Sequence, residues 1–234
     1  MPNRILAISD IHGNNKTFLD LLDKIALTKD DELYLLGDYI DRGPDSKGVI
    51  DTIWKLMDDN YRVFCIKGNH EEMLFRGIAE KGVHQSSIKY GLMQTLKSFD
   101  VKNAWDIPEI YVDFLKNLPV YLEKDNFIFV HAGLNMLIPD PFEDTVAMLW
   151  SRGWESQLNE RWLQQRMVIY GHTPTEKSTI VKQLSQLEGG KYLRIDNGCF
   201  YEFHYNKSAF SHLCAVDLSN RIPYFVERID QIEN

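Results

Sequence analysis

The chain has 234 residues, 44% hydrophobic and 26% charged, with a formal net charge of −8 at pH 7. That length and balance fit a single α/β domain spanning residues 1–234. The acidic balance, without any block of Lys or Arg, argues against a partner held by nucleic-acid backbone or anionic lipid. No apolar run approaches the roughly 20 residues that span a bilayer.

The opening residues, MPNRILAISD, meet an acid after a few apolar positions, so a signal peptide is not expected. Cys65, Cys199 and Cys214 are scattered and form no C-x-x-C. Reduced thiols in a cytoplasmic protein are the expectation.

In chain order, Arg4–Ser9 reads as a strand. Asn14–Leu27 reads as a helix with Phe18, Leu21, Leu22 and Ile25 on one face and Asn14 or Asn15 as its cap. Glu32–Leu36 is the next strand, Ser46–Asp59 the next helix, and Tyr61–Ile66 the third strand. This β-α-β-α-β order favours parallel pairing. Residues 71–117 read as mainly helical, with loops near Gly82 and Pro108. Short strands follow at Val120–Glu123, Phe127–Val130, Met167–Tyr170, Tyr192–Ile195, Leu213–Leu218 and Tyr224–Arg228, where an antiparallel contribution is expected.

Five of these strands end alike. LAISDIHG, LYLLGDYIDRG, VFCIKGNHEE, FIFVHAG and MVIYGHT each run from apolar residues straight into Asp, Asn or His beside glycine. In open α/β sheets ligands bind beyond the carboxyl ends of strands, so five such ends can aim polar groups at one place. Asp10, His12, Asp38, Asn69, His131 and His172 then offer carboxylate, imidazole and amide donors without thiolate. That mixture suits Mn, Fe or Zn better than Ca or Mg. Six ligands exceed the four of one structural zinc. Two ions sharing Asp38 would use the whole set, activating a water and clamping a phosphoryl oxygen.

In this order, DIHG, GDYIDRG, GNHE, HAG and GHT resemble the signature of the phosphoprotein phosphatases, the metal-dependent Ser/Thr type of the calcineurin-like metallophosphoesterase superfamily. The resemblance runs from Asp10 to about Gly198. It implies a central sandwich of two mixed β-sheets flanked by helices. It also implies two divalent ions, manganese first, with iron or zinc as alternatives. One ion would take Asp10, His12 and Asp38; the other Asp38, Asn69, His131 and His172. Arg42 and Arg152 (from LWSRG) would bind phosphate, with Asn69 also facing substrate, and His70 would be the general acid oriented by Asp41. Phosphorylated proteins or peptides would be the substrates.

A symmetrical dinucleoside tetraphosphate hydrolase shares most of these motifs and is the rival reading. Bacterial hydrolases of that kind usually carry a small apolar residue where this chain has Asp41, and GNHD where it has GNHE. A binding protein of the same fold without turnover is a third possibility, but every expected ligand is present. Broader phosphodiesterases of the superfamily show G-H-x-H, whereas Pro174 follows GHT here. HEEML opens like a zincin motif, but Leu74 stands where the second histidine belongs. Glu71 and Glu72 instead favour the first turn of a helix. His84, His204 and His212 lie in no motif and read as ordinary structural histidines. Tyr39 and Trp150 are candidates for substrate contact, although core packing is the expectation for most aromatics.

Overall fold

The computed structural model describes residues 4–81, 89–200 and 209–232. Among them the strands are β1 (Ile5–Ile8), β2 (Glu32–Leu35), β3 (Arg62–Cys65), β4 (Tyr121–Lys124), β5 (Phe127–Val130), β6 (Met167–Tyr170), β7 (Tyr192–Arg194), β8 (His212–Asp217) and β9 (Ile222–Glu227). They form two mixed sheets, ordered β3-β2-β1-β8-β9 and β4-β5-β6-β7. β1, β2 and β3 pair in parallel, as do β5, β6 and β7, whereas β8, β9 and β4 run antiparallel to their neighbours.

Period-two alternation decides which residues enter which layer. Ala7, Tyr34, Leu36, Phe129, Met167, Ile169 and Val216 face inward between the sheets and form one buried cluster. Their neighbours Leu6, Ile8, Leu33 and Leu35 face outward onto the helices α1 (Asn15–Lys24) and α2 (Ser46–Asp58), meeting Phe18, Leu21, Val49, Ile50 and Ile53. Each such fully buried aliphatic side chain contributes about 1.5–3 kcal/mol relative to exposure. On the far side of the second sheet, Ile128, Val130, Val168 and Tyr170 pack with Met148, Trp154 and Leu163.

The expected sandwich of two mixed sheets with flanking helices is therefore the fold. The remaining helices are α3 (Asn69–Ala79), α4 (Leu92–Ser98), α5 (Glu109–Lys116), α6 (Thr145–Trp150), α7 (Glu160–Leu163) and α8 (Lys177–Ser185). The loop expected near Pro108 is present, ending at Pro108 directly before α5. The loop expected near Gly82, with His84 and His204, lies outside the described residues. Among the described residues no helix is long and apolar enough to cross a membrane.

The cap of α1 differs from expectation. The Asn14 side chain makes no cap bond and donates instead to the carbonyls of Ile11 and His12. Asp230, near the C-terminus, caps the helix in its place. The Asp230 carboxylate accepts the backbone N–H of Lys16 (3.1 Å) and of Thr17 (2.8 Å), plus the Thr17 hydroxyl (2.6 Å). Helix α2 has a local cap, Asp45, which accepts from the Gly48 N–H at 2.8 Å.

Candidate active site

The loops that leave β1, β2, β3, β5 and β6 converge at one edge of the sandwich. They carry Asp10 and His12, Asp38 to Arg42, Asn69 and His70, His131, and His172 respectively. Asp10, His12, Asp38, Asp41, Arg42 and His172 all adopt positive φ, between +23° and +70°. Such backbone costs roughly 1–3 kcal/mol apiece and persists where surrounding structure imposes it. Close packing of the loops is the cause here. A Cβ on Gly171 would strike the side chains of Ser9 and Asp10, and one on Gly37, itself at φ +90°, would strike the backbone of Gly68.

The donor atoms meet in a way that calls for a cation. The rings of His12 and His131 turn Nδ1 to the carbonyls of Ile40 (3.1 Å) and Leu36 (2.8 Å), so Nδ1 carries the proton and Nε2 presents a lone pair. That Nε2 of His131 then faces Asn69 Oδ1 at 2.8 Å, His172 Nδ1 at 3.2 Å and Asp38 Oδ1 at 3.5 Å. His12 Nε2 lies 3.5 Å from Asp38 Oδ2. The His12 lone pair is met by the Arg42 guanidinium, and the imidazole, amide and carboxylate atoms gathered around His131 and Asp38 are donor types that a divalent cation takes. Burial pushes His12, His131 and His172 below the ordinary histidine range, toward the neutral form a metal ligand must have. Burial opposes ionisation of Asp38, but the surrounding histidines, His131 foremost, hold its carboxyl low. Carboxylate, amide oxygen and neutral imidazole together fit divalent metal ions.

Among the described residues two groups of ligand atoms come close together: Asp38 with His131 and His172, and Asp38 with His12 and His70. The second has His70 where the sequence placed Asp10. Asp10 itself is buried and belongs to neither group, accepting from the His172 N–H at 3.0 Å and from the Ser9 hydroxyl. Burial and the charge of Asp196 push its carboxyl well up.

His70 is bound to Asp41, Nδ1 to Oδ2 at 2.8 Å. Burial alone would lower its pKa, yet the charge of Asp38 and the Asp41 bond raise it above the ordinary value. Its Nε2 faces the cleft, 3.2 Å from Arg42 Nη2, and Arg42 Nη1 reaches His12 Nε2 at 2.9 Å. Arg152 approaches from the opposite side, its Nη1 donating to Thr173 at 2.9 Å. Both arginines line a cleft of about 160 Å³ together with His12, Asp38, Asn69, His70, His172, Trp150 and Tyr90.

Trp150 therefore lies where a substrate contact would be made, but Tyr39 does not. Its ring is fully buried and its hydroxyl donates to the carbonyls of Leu35 and Ile66. Tyr90, which no motif marked, stands at the mouth of the cleft with its ring edge-on to His70. Glu71 does more than open α3: it is buried and its carboxylate ties down the loops of Asp38 and Gly68. Asp196 lies in IDNGC, the late segment where the family resemblance ends, which gave it no role; burial pushes its carboxyl up to about 6. His212, paired with Lys177 at 2.7 Å, has the structural role expected of it.

A family model described as calcineurin-like phosphoesterase matches residues 3–209. The chain is 24% identical to a bis(5'-nucleosyl)-tetraphosphatase PrpE [asymmetrical] of Anoxybacillus flavithermus, covering 94% of this chain and 96% of the relative. It is likewise 24% identical to the protein of the same name in Bacillus mycoides, covering 96% and 98%. Among solved structures, a serine/threonine protein phosphatase of Saccharomyces cerevisiae superposes with a TM-score of 0.68 at 16% identity, over 99% of this chain and 82% of the other.

Proposed function

Because the chain belongs to the calcineurin-like phosphoesterase family, and so hydrolyses phosphoesters, we propose that it removes phosphate from serine or threonine side chains of proteins or peptides. The observation that carries this reading is the 2.8 Å bond between Asp41 and His70 beside a cleft framed by two arginines. Alkoxides of serine and threonine are poor leaving groups and need a proton as the P–O bond breaks. Asp41 holds the proton on Nδ1 of His70, which leaves Nε2 to carry the one that passes to the leaving oxygen. Arg42 and Arg152 offer guanidinium forks suited to phosphoryl oxygens. Asp10, His12, Asp38, Asn69, His131 and His172 would hold the metal ions, manganese being our first choice. Bound there, two ions supply Lewis acidity and a nucleophilic water near neutral pH.

The names of the relatives favour a second reading, cleavage of dinucleoside tetraphosphates. Those relatives are asymmetrical hydrolases by name, which differs from the symmetrical cleavage raised by the motifs. A nucleotide leaves more readily than an alkoxide and gains less from the Asp41–His70 pair. The test compares kcat/KM of the Mn²⁺-loaded protein on a phosphothreonine peptide and on diadenosine tetraphosphate, with products separated by chromatography. Preference for the peptide supports the first reading. Preference for the dinucleotide replaces it, and the products ATP plus AMP, or two ADP, then distinguish asymmetrical from symmetrical cleavage.

A further inference from the structure

Helix α4 carries a threonine where its apolar face should continue. Leu92 and Leu96 are buried in the core beside the fully buried Thr95. A β-branched polar residue lowers helix propensity, and burying its hydroxyl costs free energy unless the group is satisfied. Thr95 is tied to Asp41, 54 positions earlier, by two hydrogen bonds. The Thr95 hydroxyl donates to Asp41 Oδ1 at 2.6 Å and accepts the Asp41 backbone N–H at 2.9 Å. Asp41 sits at φ +70°, so its backbone and its carboxylate are both held by this one hydroxyl.

Ser46, also fully buried, completes the arrangement. Its Oγ lies 3.0 Å from Thr95 Oγ1 and accepts from the Asp41 N–H at 3.1 Å. Since the Thr95 proton is committed to Asp41, the Ser46 hydroxyl must be the donor between the two. A directed chain of hydrogen bonds results: Ser46 to Thr95, Thr95 to Asp41 Oδ1, and His70 Nδ1–H to Asp41 Oδ2. Next to this chain the Arg42 N–H donates to the Gly91 carbonyl at 3.3 Å, so the start of α4 is fastened to the same loop.

We infer that Thr95, backed by Ser46, is a positioning residue that sets the Asp41 carboxylate and through it the orientation of His70 for proton delivery to the leaving group. The inference rests on the reading of His70 as the acid. A threonine that only ties α4 to the loop would affect folding and all substrates alike. One that positions the acid affects the substrates that need a proton.

The experiment uses the full-length Mn²⁺-loaded protein with phenyl phosphate, a poor leaving group, and 2,4-dinitrophenyl phosphate, a good one. Thr95→Val should lower kcat on phenyl phosphate by about 10- to 100-fold, a part of the worth of the acid itself, with KM within about twofold. On the dinitrophenyl ester the loss should stay within about threefold, and Thr95→Ser should restore the wild-type pattern. In a His70→Asn background Thr95→Val should add nothing, because both changes remove one function. In metal-free protein the downfield proton resonance of His70 Nδ1–H should move upfield in Thr95→Val. If Thr95→Val folds poorly, Ser46→Ala should show the same leaving-group pattern with a smaller loss. Equal losses on both esters, an additive loss in the His70→Asn background, or an unmoved resonance would overturn the inference. Should His70→Asn alone lose equally on both esters, the acid reading itself falls; if it shows the leaving-group pattern and Thr95→Val does not, only the positioning role falls.

Discussion

Glu71 accepts the backbone N–H of Asp38 at 3.0 Å, and with it the amides of Gly68 (2.8 Å) and Tyr39 (2.9 Å). One buried carboxylate thus joins the loop after β2, which delivers Asp38, to the loop after β3, which delivers Asn69. In a Glu71→Gln variant one oxygen becomes an NH₂ group that cannot accept, so at least one buried amide loses its partner. We expect the unfolding free energy to fall by about 1–3 kcal/mol and affinity for Mn²⁺ to fall by roughly 10–100-fold, the usual cost of disturbing a group behind metal ligands. Denaturant titration and calorimetric titration with Mn²⁺ measure the two effects. Wild-type Mn²⁺ affinity in Glu71→Gln would mean that the loops hold Asp38 without it.

Asp38 is the member shared by both ligand groups. Stripping the protein with a chelator should abolish hydrolysis, and Mn²⁺ should restore it best. Asp38→Asn should leave the circular dichroism spectrum near normal while lowering bound metal, by elemental analysis, from up to two ions. Undiminished turnover in protein shown to be metal-free would refute the metal assignment.

The strand ends were legible because each is a local pattern: an apolar run, then a ligand type, then glycine within a few residues. Asp10, His12, Asp38, Asn69, His131 and His172 could be named for that reason, whereas His70 was named through the resemblance that the ordered motifs carry. Contacts between distant segments left no such trace. Thr95 looks like one more helical residue until α4 docks on Asp41, and Asp230 looks like a tail residue until it caps α1. Tyr39 misled in the opposite sense. It lies inside a ligand-bearing loop, but the carbonyls of Leu35 and Ile66 draw its hydroxyl into the core. Helix α7, of four residues, escaped notice because so few carry its periodicity, and the nine-residue α8 was missed as well.

Asp31 gives the fold a pH dependence at its acid limit. Burial would raise its pKa, but the Arg4 guanidinium, at 2.8 and 2.6 Å, and the Thr28 amide and hydroxyl outweigh that and bring it down from 3.8 to about 2. The folded carboxyl therefore binds its proton at lower pH than the unfolded one. Its stabilisation is complete above the unfolded value of 3.8 and is lost as the pH falls through about 2. A depression of this size is worth roughly 2 kcal/mol. Asp31→Asn should lower stability by about that amount at pH 7 and flatten the stability curve between about pH 4 and 2. A variant whose loss stays constant down to pH 2 would show that Asp31 acts by packing rather than charge.

Arg42 and Arg152 reach the cleft from opposite halves of the molecule and should not contribute equally. Arg42 is set in the strained loop beside Asp41, with its guanidinium against His12 and His70. Arg152 follows α6 and is exposed, with a bond to the Thr173 hydroxyl. A guanidinium fixed before substrate arrives loses less freedom on binding, so more of its interaction appears as affinity. Arg42→Ala should weaken inhibition by inorganic phosphate and lower kcat/KM on phosphomonoesters by about 10²–10³-fold, the scale for removing one preorganised donor. Arg152→Ala should lower it by about 10-fold, because an exposed side chain must be ordered first. Steady-state kinetics with phosphate as competitor measures both. A loss on Arg152→Ala as large as that on Arg42→Ala would mean that the two arginines clamp the phosphoryl group as equal partners.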